Sequence, residues 1–390
     1  MKKRIILALI LLVIGLFIGI VFFMNAPRKA YDLQRAKKYF AAGELSRAYA
    51  EYQKALKNEP NNPEIYYELG GATNQMGRIP ECIELLHKAY RLDPKIIYLE
   101  ELYWPYYLTS DFENAEKVCR SVLKADPSRT IYLSFLADIY ITKALKERSY
   151  LQKAEETIKK GDMTKGDTFY IWGKIYWLKE DFNKAIENLE KAVRLGLDPS
   201  DEVDLQILLG HLYIWNGKMD KARESFHKII NLSLKWKRSD YLRLIPAPEI
   251  SVIVLYSYWG ERIGKKTLDK LYARYDLLGK KGVLDTDGGR QRHLQTVNAI
   301  DAIDTKNYQK ALKNLSLLFR SKETEPPAPP PQCFLSRTLQ RQIFPTLANT
   351  LKGDVYKAMG LKAEAQRCYA SALKTDSRNP FVKRRIDSLK

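Results

Sequence analysis

The chain has 390 residues, 45% of them hydrophobic, and carries 65 Lys plus Arg against 46 Asp plus Glu, a formal charge of +19. That composition excludes a largely disordered polymer and suits two ordinary domains or one extended array. The basic residues are spread along the chain, which describes a solvated surface able to meet anionic lipid and carries no nucleic-acid signature.

Residues 1–4 form a basic head, and Ile5 to Met24 contains no charged residue. About twenty residues at about 1.5 Å each match the roughly 30 Å core of a bilayer, so 5–24 is expected to be a transmembrane helix. "VFFMNAPRKA" offers no small-residue cleavage site, which makes the segment an uncleaved anchor. Gly15 and Gly19 form a G-x-x-x-G through which two anchors could approach. Lys and Arg flank both ends, yet a short basic head before a long domain stays cytoplasmic. The bulk is therefore expected on the periplasmic side of an inner membrane.

Downstream, "AYAEYQKALKNEP" places Ala48, Tyr52, Ala55 and Pro60 at helical intervals, and Cys82, Leu86, Ala89 and Pro94 repeat them 34 positions later. With Ala36, Tyr39 and Gly43 before it, one unit reads as helix, glycine turn, second helix and proline stop. A third copy holds Leu102, Tyr106, Ala115 and Cys119. A fourth has Ala137, Tyr140, Ala154 and Ile158, with a longer turn around "KERSY". Gly173, Tyr176, Ala185 and Leu189 mark a fifth, and Gly210, Tyr213, Gly217, Ala222 and Phe226 a sixth. The array is thus assigned to 30–236, followed by a degenerate helical region over 237–290 broken by Pro and Gly. A weak unit over 291–321 carries Ala299, Ala302, Ala311 and Leu315, and 322–333 is a proline-rich linker with a P-x-x-P. Residues 334–390 hold a final unit, with Gly353, Tyr356, Gly360, Ala365 and Tyr369, and a capping helix in "NPFVKRRIDSLK".

This pattern closely resembles the tetratricopeptide repeat family. The resemblance implies an all-α chain, an N-terminal transmembrane helix followed by a right-handed α-solenoid of about seven to eight helical hairpins. It also implies a concave face lined by the first helix of each hairpin, which takes an extended peptide or another protein's helix. The matching positions here are Tyr67, Asn74, Trp104, Tyr107, Asp138, Tyr170, Lys174, Trp177, His211 and Trp215. Members that clamp chaperone carboxylates use Lys and Asn in the first unit, where this sequence has Leu33 and Lys37. Envelope factors of similar layout end in a four-cysteine metal site that has no counterpart here.

Catalytic chemistry finds no support. Cys82, Cys119, Cys333 and Cys368 form no C-x-x-C pair, and His87, His211, His227 and His293 show no metal-ligand spacing. Asp285 to Gly289 lacks the later ligands of a calcium loop and reads as a turn, and "GKKT" lacks the rest of a phosphate loop. The expectation is a membrane-anchored scaffold, without cofactor or metal, that assembles or tethers an envelope complex through its groove. Two alternatives stay open: a cytosol-facing adaptor that delivers clients to the membrane, and an accessory subunit of a glycan synthesis or export machine, its aromatics stacking on sugar.

Overall fold

The computed structural model describes residues 33–235, separate stretches between 252 and 270, residue 295, 298–320 and 334–389. The side chains of 199–200, 318–320 and 334–344 are not among those described. The expected anchor with Gly15 and Gly19, the Asp285 to Gly289 turn, the proline tract and most of the degenerate region lie outside these residues. Among the described residues every element is helical, and no helix is long and apolar enough to cross a membrane.

The chain divides into two compact units, Met1–Pro105 and Tyr106–Lys390. In the first, helix α1 (33–41) pairs with α2 (Leu45–Asn58), and α3 (Pro63–Gln75) with α4 (Ile79–Leu92), followed by α5 (Ile96–Glu100). The boundary between them falls within the stretch 30–236 assigned to the array. The division falls inside the third repeat, whose first helix comes as two pieces, α5 and α6 (Tyr103–Leu108). Pro105 has no N–H, and its ring crowds the carbonyl four residues back, at Glu101, so one unbroken helix is not available there.

The second unit continues with α7 (Phe112–Ala125), α8 (Ile131–Ala144), α9 (Tyr150–Ile158), α10 (Gly166–Leu178), α11 (Phe182–Leu195), α12 (Pro199–Trp215) and α13 (Met219–Lys235). After the degenerate region come α14 (298–304), α15 (Tyr308–Arg320), α16 (Phe334–Ala358), α17 (Lys362–Thr375) and α18 (Pro380–Asp387).

Turn chemistry explains the hairpins. Two residues before a second helix the backbone takes a left-handed conformation, as at Gly77 (φ 78°) and Gly217 (φ 72°), which glycine adopts with less strain than other residues. The Arg78 N–H then donates to the Thr73 carbonyl at 2.9 Å, which closes a Schellman cap. Ser110, Glu180 and Lys306 hold the same place with φ between 57° and 63°. The longer turn read around "KERSY" lies between α8 and α9.

Packing within a hairpin sets a small residue on the first helix against a large one sixteen positions on. A Cβ added at Gly70 would meet Leu86 at 3.1 Å, at Gly173 Leu189 at 2.5 Å, at Gly210 Phe226 at 2.8 Å, and at Gly353 Tyr369 at 2.3 Å. Ala36 and Tyr52 share one core cluster in the same way. Cys82 and Cys119, on the second helices α4 and α7, are buried and form no disulfide among the described residues. Val382 and Ile386 on α18, with Leu389 just after it, cover the core of Ala365, Tyr369 and Ala372, as a capping helix should.

Two neighbouring substitutions separate these effects. Gly353→Ala should lower stability by about 2 kcal/mol, because the fully buried Tyr369 ring must move. Gly70→Ala should stay within about 1 kcal/mol of the parent, since the Leu86 tip can give and a helical glycine is removed. Thermal unfolding of the whole chain reads both, and equal melting shifts would contradict the packing.

Candidate functional site

In the second unit a polar ladder links the first helices of successive hairpins. The Tyr107 hydroxyl on α6 donates to Asp138 Oδ2 on α8. Lys174 Nζ on α10 donates to Asp138 Oδ1 at 2.8 Å and stands 4.0 Å from the centre of the Tyr170 ring. The Tyr170 hydroxyl donates in turn to Asp204 Oδ2 on α12 at 2.7 Å. The rungs repeat because consecutive first helices carry them about one repeat apart: Tyr170 and Asp204 differ by 34 positions.

Charge in this crevice is unbalanced. Burial alone would lower the Lys174 pKa, but the carboxylates of Asp138 and Asp204 more than reverse that and hold it above its ordinary value. Burial, and then the nearby carboxylates, push the Tyr107 and Tyr170 phenols well up. Asp201, on the first turn of α12, is crowded by protein while one edge stays open to solvent. Burial first, opposed by Lys174 and aided by Asp167, Asp204 and Asp138, raises its pKa from 3.8 to about 7. Asp167 is raised by burial and by Asp198. Three aspartates, Asp138, Asp201 and Asp204, thus face Lys174, while Asp167 beside Asp201 is offset by Lys165, so carboxylates outnumber the lysine here in a chain whose net charge is positive.

The ten expected groove residues fall into different settings. Tyr107, Tyr170, Lys174 and His211 are buried, so they take part in packing between helices more than they present a surface. Asp138 is mostly covered, with 16% of its side chain accessible. His211 lies edge-on to Phe226 at 5.6 Å, and its Nε2 has no hydrogen-bond partner among the described residues. Burial depresses its pKa to about 3. Trp215 is drawn into a contact within the chain, donating from Nε1 to Asp376 Oδ1 at 3.1 Å. Trp177 stays half-exposed. In the first unit Tyr67, Asn74 and Trp104 are half-buried; Tyr67 lies 5.2 Å from Tyr98, and Trp104 sits edge-on to Tyr103 at 4.7 Å. Nearby, Lys37 is held by Glu64 at 2.6 Å and Glu68 at 3.1 Å. Asp167, Asp201 and Asp204 were missed in the sequence, although the Tyr170 to Asp204 spacing of one repeat marks the last of them.

A TPR-repeat family model matches residues 36–77, and a tetratricopeptide-repeat model matches 166–195 and 347–379. Those three stretches are tetratricopeptide repeats. Such repeats suggest a scaffold for protein–protein interaction. No functionally curated protein matches the chain. Among solved structures, the chain is similar to a tetratricopeptide repeat protein from Parabacteroides merdae at 12% identity and a TM-score of 0.39, covering 93% of this chain and 98% of that one. It is also similar to the P58(IPK) TPR domain at 15% identity and a TM-score of 0.28, covering 93% and 97%. YrrB, described as a TPR protein with an unusual peptide-binding site, matches at 21% identity and a TM-score of 0.35 over 42% of this chain and 84% of its own.

The raised Asp201 pKa has a defined sign in this repeat protein. The folded state binds that proton more tightly than the unfolded chain, so its contribution to stability is complete below about pH 4 and is lost as pH rises toward about 7. His211 acts oppositely: its contribution is complete above its ordinary 6.5 and is lost as pH falls toward about 3. Asp201→Asn should therefore gain on the parent chain between pH 4 and 7, by on the order of 2 kcal/mol. Urea unfolding at several pH values measures it, and a difference that does not change with pH would contradict the crevice electrostatics.

Proposed function

We propose that the protein is a membrane-anchored scaffold that binds an extended peptide segment of a partner along the first helices α8, α10 and α12, and that this segment carries Lys or Arg. The observation behind this reading is the surplus of carboxylates around Lys174, with Asp201 held partly protonated near neutrality. A cation entering the crevice would replace that proton, and it would gain more there than at a water-exposed carboxylate. The scaffold works by binding and positioning and performs no chemistry of its own.

The anchor comes from residues 5–24, and the repeats lie on the periplasmic side, where they assemble or tether an envelope complex. Support for this is the charge-free run from Ile5 to Met24 after a short basic head. The adaptor and glycan readings gain no specific observation from the ladder, which offers a surplus of carboxylates in place of an open aromatic platform.

Two measurements test the proposal. Full-length protein in detergent should bind a Lys-rich octapeptide at least about tenfold more tightly than its Glu-rich counterpart at low salt, and Asp201→Asn should remove most of the difference. Equal binding of the two peptides would overturn the charge preference. Separately, a carboxy-terminal tag should be cut by protease as soon as the outer layer of intact cells is opened; protection until lysis would reverse the topology.

A further inference from the structure

The turn between α17 and α18 reaches residues far away in the sequence. Asp376 accepts the Trp215 indole hydrogen bond, and Arg378 Nη2 lies 3.1 Å from Glu180 Oε2. The Arg378 guanidinium carbon stands 4.6 Å from the centre of the Phe182 ring and 5.7 Å from that of Trp215. These two rings are 5.5 Å apart and tilted by 60°, so they form adjoining walls around one cation. Next along the turn, Asn379 Oδ1 caps α18 by accepting from the Phe381 and Val382 N–H groups, while its Nδ2 donates to the Tyr258 hydroxyl at 2.7 Å. Phe381 stacks on Tyr258 at 4.3 Å with an interplanar angle of 5°, and Trp259 meets it edge-on at 5.3 Å.

Two aromatic faces with a carboxylate at the rim form a site that suits arginine better than lysine. A planar guanidinium stacks on the rings while its edge donates outward, whereas an ammonium is compact and strongly hydrated. We propose that Glu180, Phe182 and Trp215 form an arginine seat, filled here by the chain's own Arg378, and that the filled seat latches the C-terminal repeat over the end of the first-helix face. Trp215 stands on α12 four positions after His211 and eleven after Asp204, so it continues the face that carries the ladder.

The latch is built for release. Side-chain accessibilities of 46% for Arg378 and 69% for Glu180 leave their ion pair weak, so the hold comes from the aromatic walls together with the Trp215–Asp376 and Asn379–Tyr258 hydrogen bonds and the Phe381–Tyr258 stack. The core of α17 and α18, made by Ala365, Tyr369, Ala372 and Val382, is a cluster apart from the seat. Once vacated, the seat takes an arginine from the bound partner. That last step rests on the interaction reading above; the latch itself does not.

The test uses the full-length chain in detergent, with bio-orthogonal spin labels at the exposed Glu187 on α11 and Lys374 on α17. The parent should show one narrow distance population. Arg378→Ala and, from the opposite side, Trp215→Ala should each move about half of it or more to longer distances and speed amide exchange over 210–217 about tenfold, with exchange over 365–373 unchanged. Arg378→Lys should fall between. A parent without the narrow population, or variants whose distances and exchange match the parent, would overturn the latch. Because no ligand is needed, this result stands apart from the peptide-binding test.

Discussion

The distance between the two helices of each hairpin is set by a small residue facing a large one. Where Gly173 faces Leu189 or Gly353 faces Tyr369, even one methyl group would collide, so the helix axes come as near as backbone allows. Everything else follows from that approach. The turn must be tight, hence the left-handed residue two positions before the second helix; and each hairpin is too thin to bury both faces, hence stacking on the next.

Stacking also explains how a lysine and several aspartates come to be crowded together. Successive first helices present equivalent positions about one repeat apart, so a tyrosine on one lies beside an aspartate on the next, as Tyr170 does beside Asp204. The hydroxyls and the ammonium satisfy Asp138 and Asp204, which a buried carboxylate requires. Asp201 receives no such partner's share, and its pKa rises accordingly. The imbalance is thus local to α12 and its neighbours.

Much of the fold was legible because it repeats. The positions of Ala48, Tyr52, Gly70 and Leu86 each recur, and recurrence at 34 positions carries both the element and its packing partner. The break at Pro105 was readable in principle, since proline bars an N–H at a known place, yet the repeat pattern continued across it and hid the division. The candidate face was half legible. Its positions followed from the period, but periodicity does not say whether Lys174 points to solvent or to an aspartate 36 residues earlier. Nothing periodic links Trp215 to Asp376, 161 residues apart, or Arg378 to Glu180, 198 apart. Such contacts join repeats that are not neighbours in the chain order.

The closing contact changes what the array can offer. An open row of hairpins exposes an apolar end, and here α18 covers that end on one side while the turn before it reaches back to α12. The turn engages Trp215 at the last position of the α12 face, and the ladder from Tyr107 through Asp138 and Lys174 to Asp204 lies along the rest of it. That is the stretch where negative charge exceeds positive. The residue that holds the turn down is itself an arginine lodged between aromatic walls beside a carboxylate. Arg378 thus meets Glu180 at one end of the face as Lys174 meets Asp138 along it.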